Sequence, residues 1–570
     1  MTLIKSLLLG SAAGIVAVAT AQAADLPTRK AAPVEYVRVC NVGGITGWTL
    51  PGSDTCVKMS GYITSQFVGG NLNTQYNYGS VGDLLTTSAG GPAGAPALVS
   101  TTSGATVGVP TVGTGTGGIS GVPAGAVPGL SALAGLDSRT TQRVLIAASA
   151  AQNNQSFNRN QTGWSMRANF GMDIASNTPY GPLIGHFDFN AETSNGLDPL
   201  ANTIYVNTAY LTWAGITAGK AQSFFSFTGG GDNWANFASP DRKGFNEPDL
   251  LAYTASFGGG FTATISAESP GTVGASGSGT DVGAPNFGNI GVNSLSPALI
   301  TYGGQKWPDF VGALHVKQGW GEAQVSGVIH NVNVQDTAYN AAPFNNVTAS
   351  GGCGIAGLDG CNAQHNQIGW AVDAGVKINL PSFGAGDDAL LTGAYSQSAV
   401  WYSGLPDMMW GENGQVNGNG QPMFMQDAFF NPITNSWSKP TAWSVTALIE
   451  HHFTPQFYLD LEGSVGQLKW SNQGGGCSVL GLGCGAASFA TGSISPSATT
   501  WLVGADLGWN PVTNLNFDLE MMYQSTNQSA PSGFLGTIYN WGQTNQFFVP
   551  GDWHGVSDGF AGRLRITRYF

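Results

Sequence analysis

Four basic residues, Lys58, Arg167, Arg563 and Arg565, and five acidic ones, Asp460, Glu462, Asp506, Asp518 and Glu520, occupy alternate positions in segments whose intervening positions are largely apolar. Charge confined to one face of a two-residue repeat faces water while the other face meets something apolar. The chemistry this suits is electrostatic: attracting, repelling and orienting ions and dipolar solutes. A second group is packed into residues 228–249, where Asp232, Asp241, Glu247 and Asp249 accompany Arg242, Lys243 and Trp234. Bond-making chemistry has little to work with. The chain has seven His and no zinc signature, nucleophile elbow or phosphate loop. Gly113, Gly115 and Gly118 fit a GxGxxG pattern, but in a Gly-rich tract without the strand and helix that motif needs. In a strand, the adjacent His451 and His452 point to opposite faces and do not chelate together. No enzymatic activity, cofactor or metal is expected.

The six cysteines fall into local pairs, Cys40 with Cys56, Cys353 with Cys361 and Cys477 with Cys484. Nearest-neighbour disulfides are one assignment, plausible in an oxidising compartment, and metal binding is the alternative, though no CxxC spacing occurs. The first would contribute roughly 3 kcal/mol on the chain-entropy model.

The elements that position these groups are strands. In Leu515 to Gln524, Leu515, Phe517, Leu519, Met521 and Tyr523 alternate with Asn516, Asp518, Glu520, Met522 and Gln524. In Phe457 to Gln467, Phe457, Leu459, Leu461 and Val465 oppose Tyr458, Asp460, Glu462 and Ser464. Similar segments recur at 56–67, 162–174, 181–193, 204–214, 217–227, 250–258, 261–269, 309–318, 321–332, 367–379, 389–399, 441–452, 457–468, 500–509, 515–524 and 557–570. Each is roughly ten residues, the length a tilted strand needs to cross a bilayer. Short connections, such as Gly258–Gly260 and Gly319–Gly321, alternate with long ones rich in Gly, Asn, Ser and Pro. The expected fold is all-β: a transmembrane antiparallel β-barrel of about 16 strands, with long outer loops and short periplasmic turns. Trp164, Trp213, Trp443, Trp501, Trp509 and Tyr523 lie at segment ends, where interfacial girdles form.

Composition agrees. Only 9% of residues are charged, against about 25% in ordinary soluble domains, and mean hydropathy is +0.01. The net charge of −13 argues against nucleic acid as a partner and hints at a lumen that favours cations. Lys5, an apolar Leu7–Thr20 stretch and Ala21-Gln22-Ala23 read as a signal peptide over 1–23, cleaved after Ala23. Residues 24–55 then form a periplasmic leader and 56–570 the barrel. Within the barrel, 71–160 is a long first outer loop, largely low in complexity.

Barrel closure brings the first and last strands together, so Lys58, Arg167, Arg563 and Arg565 should share one wall, beside an acidic sector of Asp460, Glu462, Asp506, Asp518 and Glu520. Folded inward, the 228–249 loop would narrow the pore opposite the basic wall and set up a transverse field. If it stays outside, its charges are solvated loop charges.

Several stretches carry a family resemblance. They are Ala24-Asp25-Leu26-Pro27, the stretch from Ala31 to Cys40, Pro51 to Tyr62, Ala214 to Phe227, Leu251 to Ser266, Pro308 to Val332, Gly369 to Pro381, Thr441 to Pro455 and the terminal RLRITRYF. Together they run along nearly the whole mature chain, which resembles the alphaproteobacterial general porins, the second porin family of rhizobial and Brucella type. The resemblance implies a sixteen-stranded homotrimer in the outer membrane whose third outer loop, here 228–249, folds into the pore. It implies passive passage of ions and small hydrophilic solutes. It also implies an assembly signal at Phe570, read by the outer-membrane assembly machinery, with membrane lipids around the barrel. The sequence departs from the family in its long first loop and in Arg568, a charge at a lipid-facing position expected to snorkel to the interface. Competing readings are a substrate-specific channel, an adhesin or receptor barrel with large surface loops, and an enzyme on a barrel.

Overall fold

Alternation at strand period gives each segment one face for lipid and one for water, and the computed structural model carries these segments as one ring. It describes residues 38–70, 77–79, 162–196, 203–229, 239–244, 247–269, 300–302, 306–336, 364–405, 408, 427–431, 436–470, 478–479, 482–483, 497–528, 536–541, 545–550 and 556–570. Sixteen strands form the ring. The first eight are β1 (Cys56–Gly70), β2 (Thr162–Thr178), β3 (Gly181–Gly196), β4 (Ile204–Trp213), β5 (Ile216–Lys220), β6 (Asp249–Gly258), β7 (Phe261–Ser269) and β8 (Asp309–Gln318). The others are β9 (Gly321–Asp336), β10 (Gln364–Asn379), β11 (Asp388–Gln397), β12 (Pro440–Thr454), β13 (Phe457–Trp470), β14 (Ala498–Val512), β15 (Leu515–Gln528) and β16 (Val556–Tyr569). Each runs antiparallel to the next. β16 returns to β1, with Tyr569 opposite Tyr62 and Ala561 opposite Gly70. The ring is therefore closed, and no lateral edge is exposed to lipid.

The sixteen expected segments each correspond to a strand; several run a few residues longer, as in Thr162–Thr178 and Gly321–Asp336, and one is cut well short. The segment expected over 217–227 stops as a strand at Lys220. Its remainder turns into the lumen, because the wall offers that stretch polar side chains to bond and an apolar seat, described below.

Seven connections are short and lie at one end of the ring; 258–260 turns on three glycines at positive φ (82°, 61° and 83°), a conformation that residues with a Cβ resist. The long connections lie at the other end. There, Asn77–Gly79 in the first long loop pairs with Gly536–Trp541 in the last, which pairs with Asn545–Pro550. At the short-turn end a hairpin of Val39–Val42 and Ile45–Thr49 joins β1 through Trp48 opposite Val57 and Thr49 opposite Cys56. The Cys40–Cys56 disulfide staples it there, as nearest-neighbour pairing anticipated. Val42, Cys56 and Ala175 make a small apolar core beneath it, with Ile45 and Ile184 packed alongside. Cys353, Cys361, Cys477 and Cys484, the 1–23 segment and nearly all of the first long loop lie outside the described residues.

The outer face is apolar: Ile265, Leu314, Val325 and Met521 are all exposed. Aromatic pairs mark both rims. Phe67–Trp164 (4.8 Å) and Trp501–Tyr523 (5.3 Å) sit towards the long loops, and Tyr180–Trp213 (5.8 Å) and Phe457–Trp509 (5.8 Å) sit at the short turns. Such belts hold amphipathic rings at headgroup level. Arg568 reaches the short-turn rim, where its guanidinium donates to the Asn514 carbonyl at 3.0 Å and to the Tyr569 carbonyl. Its charge is thereby satisfied at the end of the strand, as snorkelling requires.

Candidate functional site

The inner face of the ring is largely polar, with apolar patches where inserted loop residues pack: Leu390 and Leu448 under Phe227, Leu250 and Ala252 under Phe224, and a third on β8 to β10. Val311 on β8, Val328 on β9 and Ala371 on β10 are successive cross-strand partners facing inward, all buried. On this apolar row sit Phe225, from the β5–β6 loop, and Tyr402, from the β11–β12 loop. Their rings meet edge-on at 4.9 Å. Two loops thus fold into the lumen, not one.

The first is the β5–β6 loop, residues 221–248, which takes in most of the expected constriction loop. The wall satisfies its backbone. Glu268 on β7 accepts from Ser223 Oγ (2.6 Å) and the Phe224 N–H (3.0 Å), and Gln324 Nε2 on β9 donates to the Phe224 and Phe225 carbonyls (3.2 Å each). Inserted peptide would otherwise be left unsatisfied, at a cost of about 1–3 kcal/mol per group. Further along, Lys243 is fully buried. Its ammonium donates to the Pro240 carbonyl (2.5 Å), Ser444 Oγ (2.8 Å) and Thr446 Oγ1 (3.3 Å), clamping the loop to β12. Asp241, also buried, accepts from Thr228 Oγ1 at 2.7 Å. These two expected constriction charges hold the loop in shape instead of facing a passage. Glu247 Oε2 lies 3.7 Å from Lys220 Nζ; burial pushes its carboxyl above the usual range, against the opposing pull of Lys220 and Arg242. Asp249 opens β6 opposite Lys220. Arg242 lies in the described part of the loop, and its backbone N–H donates to the Ser239 carbonyl at 2.9 Å. Asp232 and Trp234 lie outside the described residues.

The second inserted segment belongs to the β11–β12 loop and went unnoticed in the sequence. A single turn of 3-10 helix, Val400–Ser403, ends at Gly404 in the left-handed region (φ 71°). Tyr402, Leu405 and Met408 are fully buried. An ion-paired latch fastens the segment to β8 and β9. His330 Nδ1 lies 2.8 Å from Asp309 Oδ2, and its Nε2 lies 3.2 Å from Asp427 Oδ2. The Tyr402 hydroxyl donates to Asp309 at 2.6 Å, and the Val400 N–H donates to Asp427. Two carboxylates bracket one imidazole, an arrangement in which both ring nitrogens donate. The two loops also bond each other, the Gly244 N–H donating to the Trp401 carbonyl at 3.1 Å.

Two glycines make room. A Cβ on Gly375 of β10 would lie 2.3 Å from the Phe227 ring, and one on Gly466 of β13 would lie 2.7 Å from Leu405 Cδ1. Glycine inside a strand marks close approach of another group. With the apolar Val311, Val328 and Ala371 on a wet face, these glycines are the signal that could have revealed the inserted loops.

The four expected wall bases stand on β1, β2 and β16, and the three arginines face carboxylates. Arg563 opposes Glu520 and Arg565 opposes Asp518 across β15–β16, at 3.0 and 3.1 Å. Arg167 Nε donates to Glu192 at 2.6 Å, and Tyr205 OH donates to the same oxygen at 2.8 Å. Lys58, opposite Asp173, is exposed at the inner face. Asp460 and Glu462 on β13 and Asp506 on β14 are buried on the inner face beside them. Nearby, Asp173 and Asp188 bind their neighbours: His186 Nδ1 lies 2.6 Å from Asp173 Oδ1, and Asp188 accepts from Asn169 Nδ2 (2.9 Å) and Thr208 Oγ1 (2.6 Å). His451 and His452 keep to opposite faces, as alternation predicts: the His451 ring meets the exposed Phe453 ring at 4.7 Å, and the His452 ring meets Tyr458 at 5.6 Å with Nε2 3.2 Å from Glu450. At the strand end each also comes near the turn carboxylate Asp387, at 2.6 and 3.8 Å. The His452 backbone N–H and the His451 ring hold that turn carboxylate below its usual pKa range. Among the described residues no group of three or more His, Cys, Asp or Glu stands close enough to hold a metal.

A closed sixteen-stranded ring with an apolar exterior, aromatic rims and a polar interior is the architecture of a membrane-spanning β-barrel. A family model described as the porin subfamily matches residues 25–89 and 142–551, and the chain belongs to that family. Among curated relatives, porin Omp2a of Brucella ovis is 49% identical over 69 residues, 12% of this chain and 20% of that protein. Porin Omp2b of Brucella suis is 48% identical over 69 residues, 12% of this chain and 19% of that protein. The match spans about one fifth of the length of these relatives. Among solved structures, the outer-membrane channel DcaP of Acinetobacter baumannii has a TM-score of 0.44 at 10% identity, over 92% of this chain and 99% of that one. OmpT of Vibrio cholerae in its trimer form has a TM-score of 0.39 at 8% identity, over 91% and 100%.

Proposed function

We propose that the protein is an outer-membrane channel through which ions and small hydrophilic solutes diffuse passively, narrowed by two inward loops. The observation that carries this reading is the closed ring with a polar interior, β16 returning to β1. Passage requires no catalytic group, and membership of a porin family favours a channel over an enzyme. The reading includes export by a cleaved signal over residues 1–23, assembly through the terminal Phe570, and association as a homotrimer. Phe570 supports its part by position, since its backbone N–H donates to the Gly61 carbonyl at 3.0 Å and its ring is exposed at the short-turn rim.

The deciding experiment is single-channel current from purified protein in a planar bilayer under asymmetric KCl. Stepwise, long-lived openings are expected, and a folded protein that carries no current overturns the channel. The reversal potential reads selectivity, expected to be modestly cationic because the arginines of the basic wall face carboxylates. Replacing Asp232, Glu247 and Asp249 with Asn, and leaving the buried Asp241 in place, should lower that preference; an unchanged reversal potential removes the loop from selectivity. The raised Glu247 carboxyl is protonated before ordinary carboxylates on acidification. Part of the cation preference should therefore fade above the usual carboxylate range, and E247Q should flatten that part.

The second inward loop favours one other reading, a substrate-selective channel narrower than a general porin. Liposome swelling with sugars of graded size separates the two. A general porin shows a smooth decline with size, and a selective channel passes one solute out of order.

A further inference from the structure

One level of the lumen wall carries an unbroken row of acids. Asp388, Glu450, Asp460, Asp506 and Glu520 are successive cross-strand partners on β11 to β15. Both ends of the row are compensated. Lys377 Nζ lies 3.1 Å from Asp388 Oδ2, and Arg563 Nη2 lies 3.0 Å from Glu520 Oε2. Asp518, two residues from Glu520 on the same face, is taken by Arg565 at 3.1 Å and by the Tyr458 hydroxyl at 2.9 Å. The middle of the row is different. Asp460 and Asp506 are only 2% and 0% exposed, and none of their four carboxylate oxygens has a hydrogen-bond partner. Two opposed, desolvated carboxylates are strongly unfavourable unless a counter-charge joins them.

We propose that Asp460 and Asp506 together bind a hard divalent cation, Ca²⁺ or Mg²⁺, on the wall of the channel. The donors are all oxygen, which selects hard cations over zinc or copper. With no third His, Cys, Asp or Glu close enough to ligate among the described residues, water completes the shell, as it does where Mg²⁺ is held by one or two carboxylates. A shared proton is the competing counter-charge. It would remove one charge of the pair and leave the other carboxylate charged and unpartnered. A divalent ion neutralises both carboxylates at once.

Two readouts on the full-length protein test this. In detergent, the melting temperature of the wild type should rise with CaCl₂ or MgCl₂ over chelator, because a ligand that binds only the folded state stabilises it. In bilayers, single-channel K⁺ current should fall saturably, with half-effect at about 10⁻⁴–10⁻³ M, the range of weak extracellular sites. D460N/D506N should lose both responses at least about tenfold in affinity, while D173N, on another part of the wall, keeps them. The proposal is overturned if the wild type does not respond, or if D460N/D506N responds like the wild type. It is equally overturned if both properties follow pH but not the divalent ion, which would mean a shared proton. The current arm rests on the channel reading; the melting arm does not, so a protein that carries no current can still bind the ion.

Discussion

The lumen wall behaves differently on its two sides. Along β7 to β12 its polar side chains serve another stretch of chain: Glu268 and Gln324 bond to the backbone of the inserted β5–β6 loop, and Ser444 and Thr446 accept from its Lys243. Along β2 to β4 the wall bonds to itself, through Asp173 with His186, Asp188 with Thr208 and Arg167 with Glu192. Both sides read as wet faces in the sequence. What separates them is the apolar row of Val311, Val328 and Ala371, present on one side to seat Phe225 and Tyr402. A polar inner face thus says that groups must be satisfied. An apolar interruption of that face says that something other than water satisfies them.

The contrast can be broken most forcefully at the latch. H330L would leave Asp309 and Asp427 buried without the imidazole, at a cost of about 3–5 kcal/mol. It should lower the melting temperature and raise single-channel conductance by freeing the β11–β12 loop; unchanged conductance would mean that this loop does not narrow the passage. K243M removes the clamp on β12 and should cost about 2–3 kcal/mol, with noisier open-channel current as its signature. G375A pushes a methyl into the Phe227 ring and should cost about 1–3 kcal/mol, readable as a lower melting temperature with conductance changed less than in H330L. On the other side, R167Q keeps an amide donor for Glu192, which also holds the Tyr205 hydroxyl, and should cost about 1–1.5 kcal/mol. It should leave conductance near wild type and move the reversal potential towards cations. If R167Q destabilised the protein more than K243M, the distinction between the two sides would be wrong.

Most of the ring was legible because one signal repeats. In β15, Leu519 and Met521 face out while Asp518 and Glu520 face in, and nothing in the tertiary structure overrides that period. The site was less legible because its charges are ambiguous. Lys243 and Asp241 have the composition of a constriction and the burial of a core, and only the partners Ser444 and Thr446, some two hundred residues on, distinguish those roles. The β11–β12 loop gave no local pattern, since its fastening depends on His330 and Asp309 from two other strands. His451 and His452 were legible for the same reason as the ring: both precede the bulge at the strand end, and their rings follow the alternation.

The pairing of β16 with β1 also fixes the order of events in assembly. Thr64 and Thr567, 503 residues apart, share a hydrogen bond at 2.9 Å, so the contact that completes the ring is among the most distant in sequence that the chain can make. Such contacts are slow to form, and this one needs β16 in place. Without that pairing the sheet would be open, with two unpaired margins able to recruit a neighbouring chain. A chain shortened by its last strand would keep fifteen-sixteenths of its ring and still lack a finished wall. The β16–β1 seam is thus the one pairing on which closure of the whole wall depends.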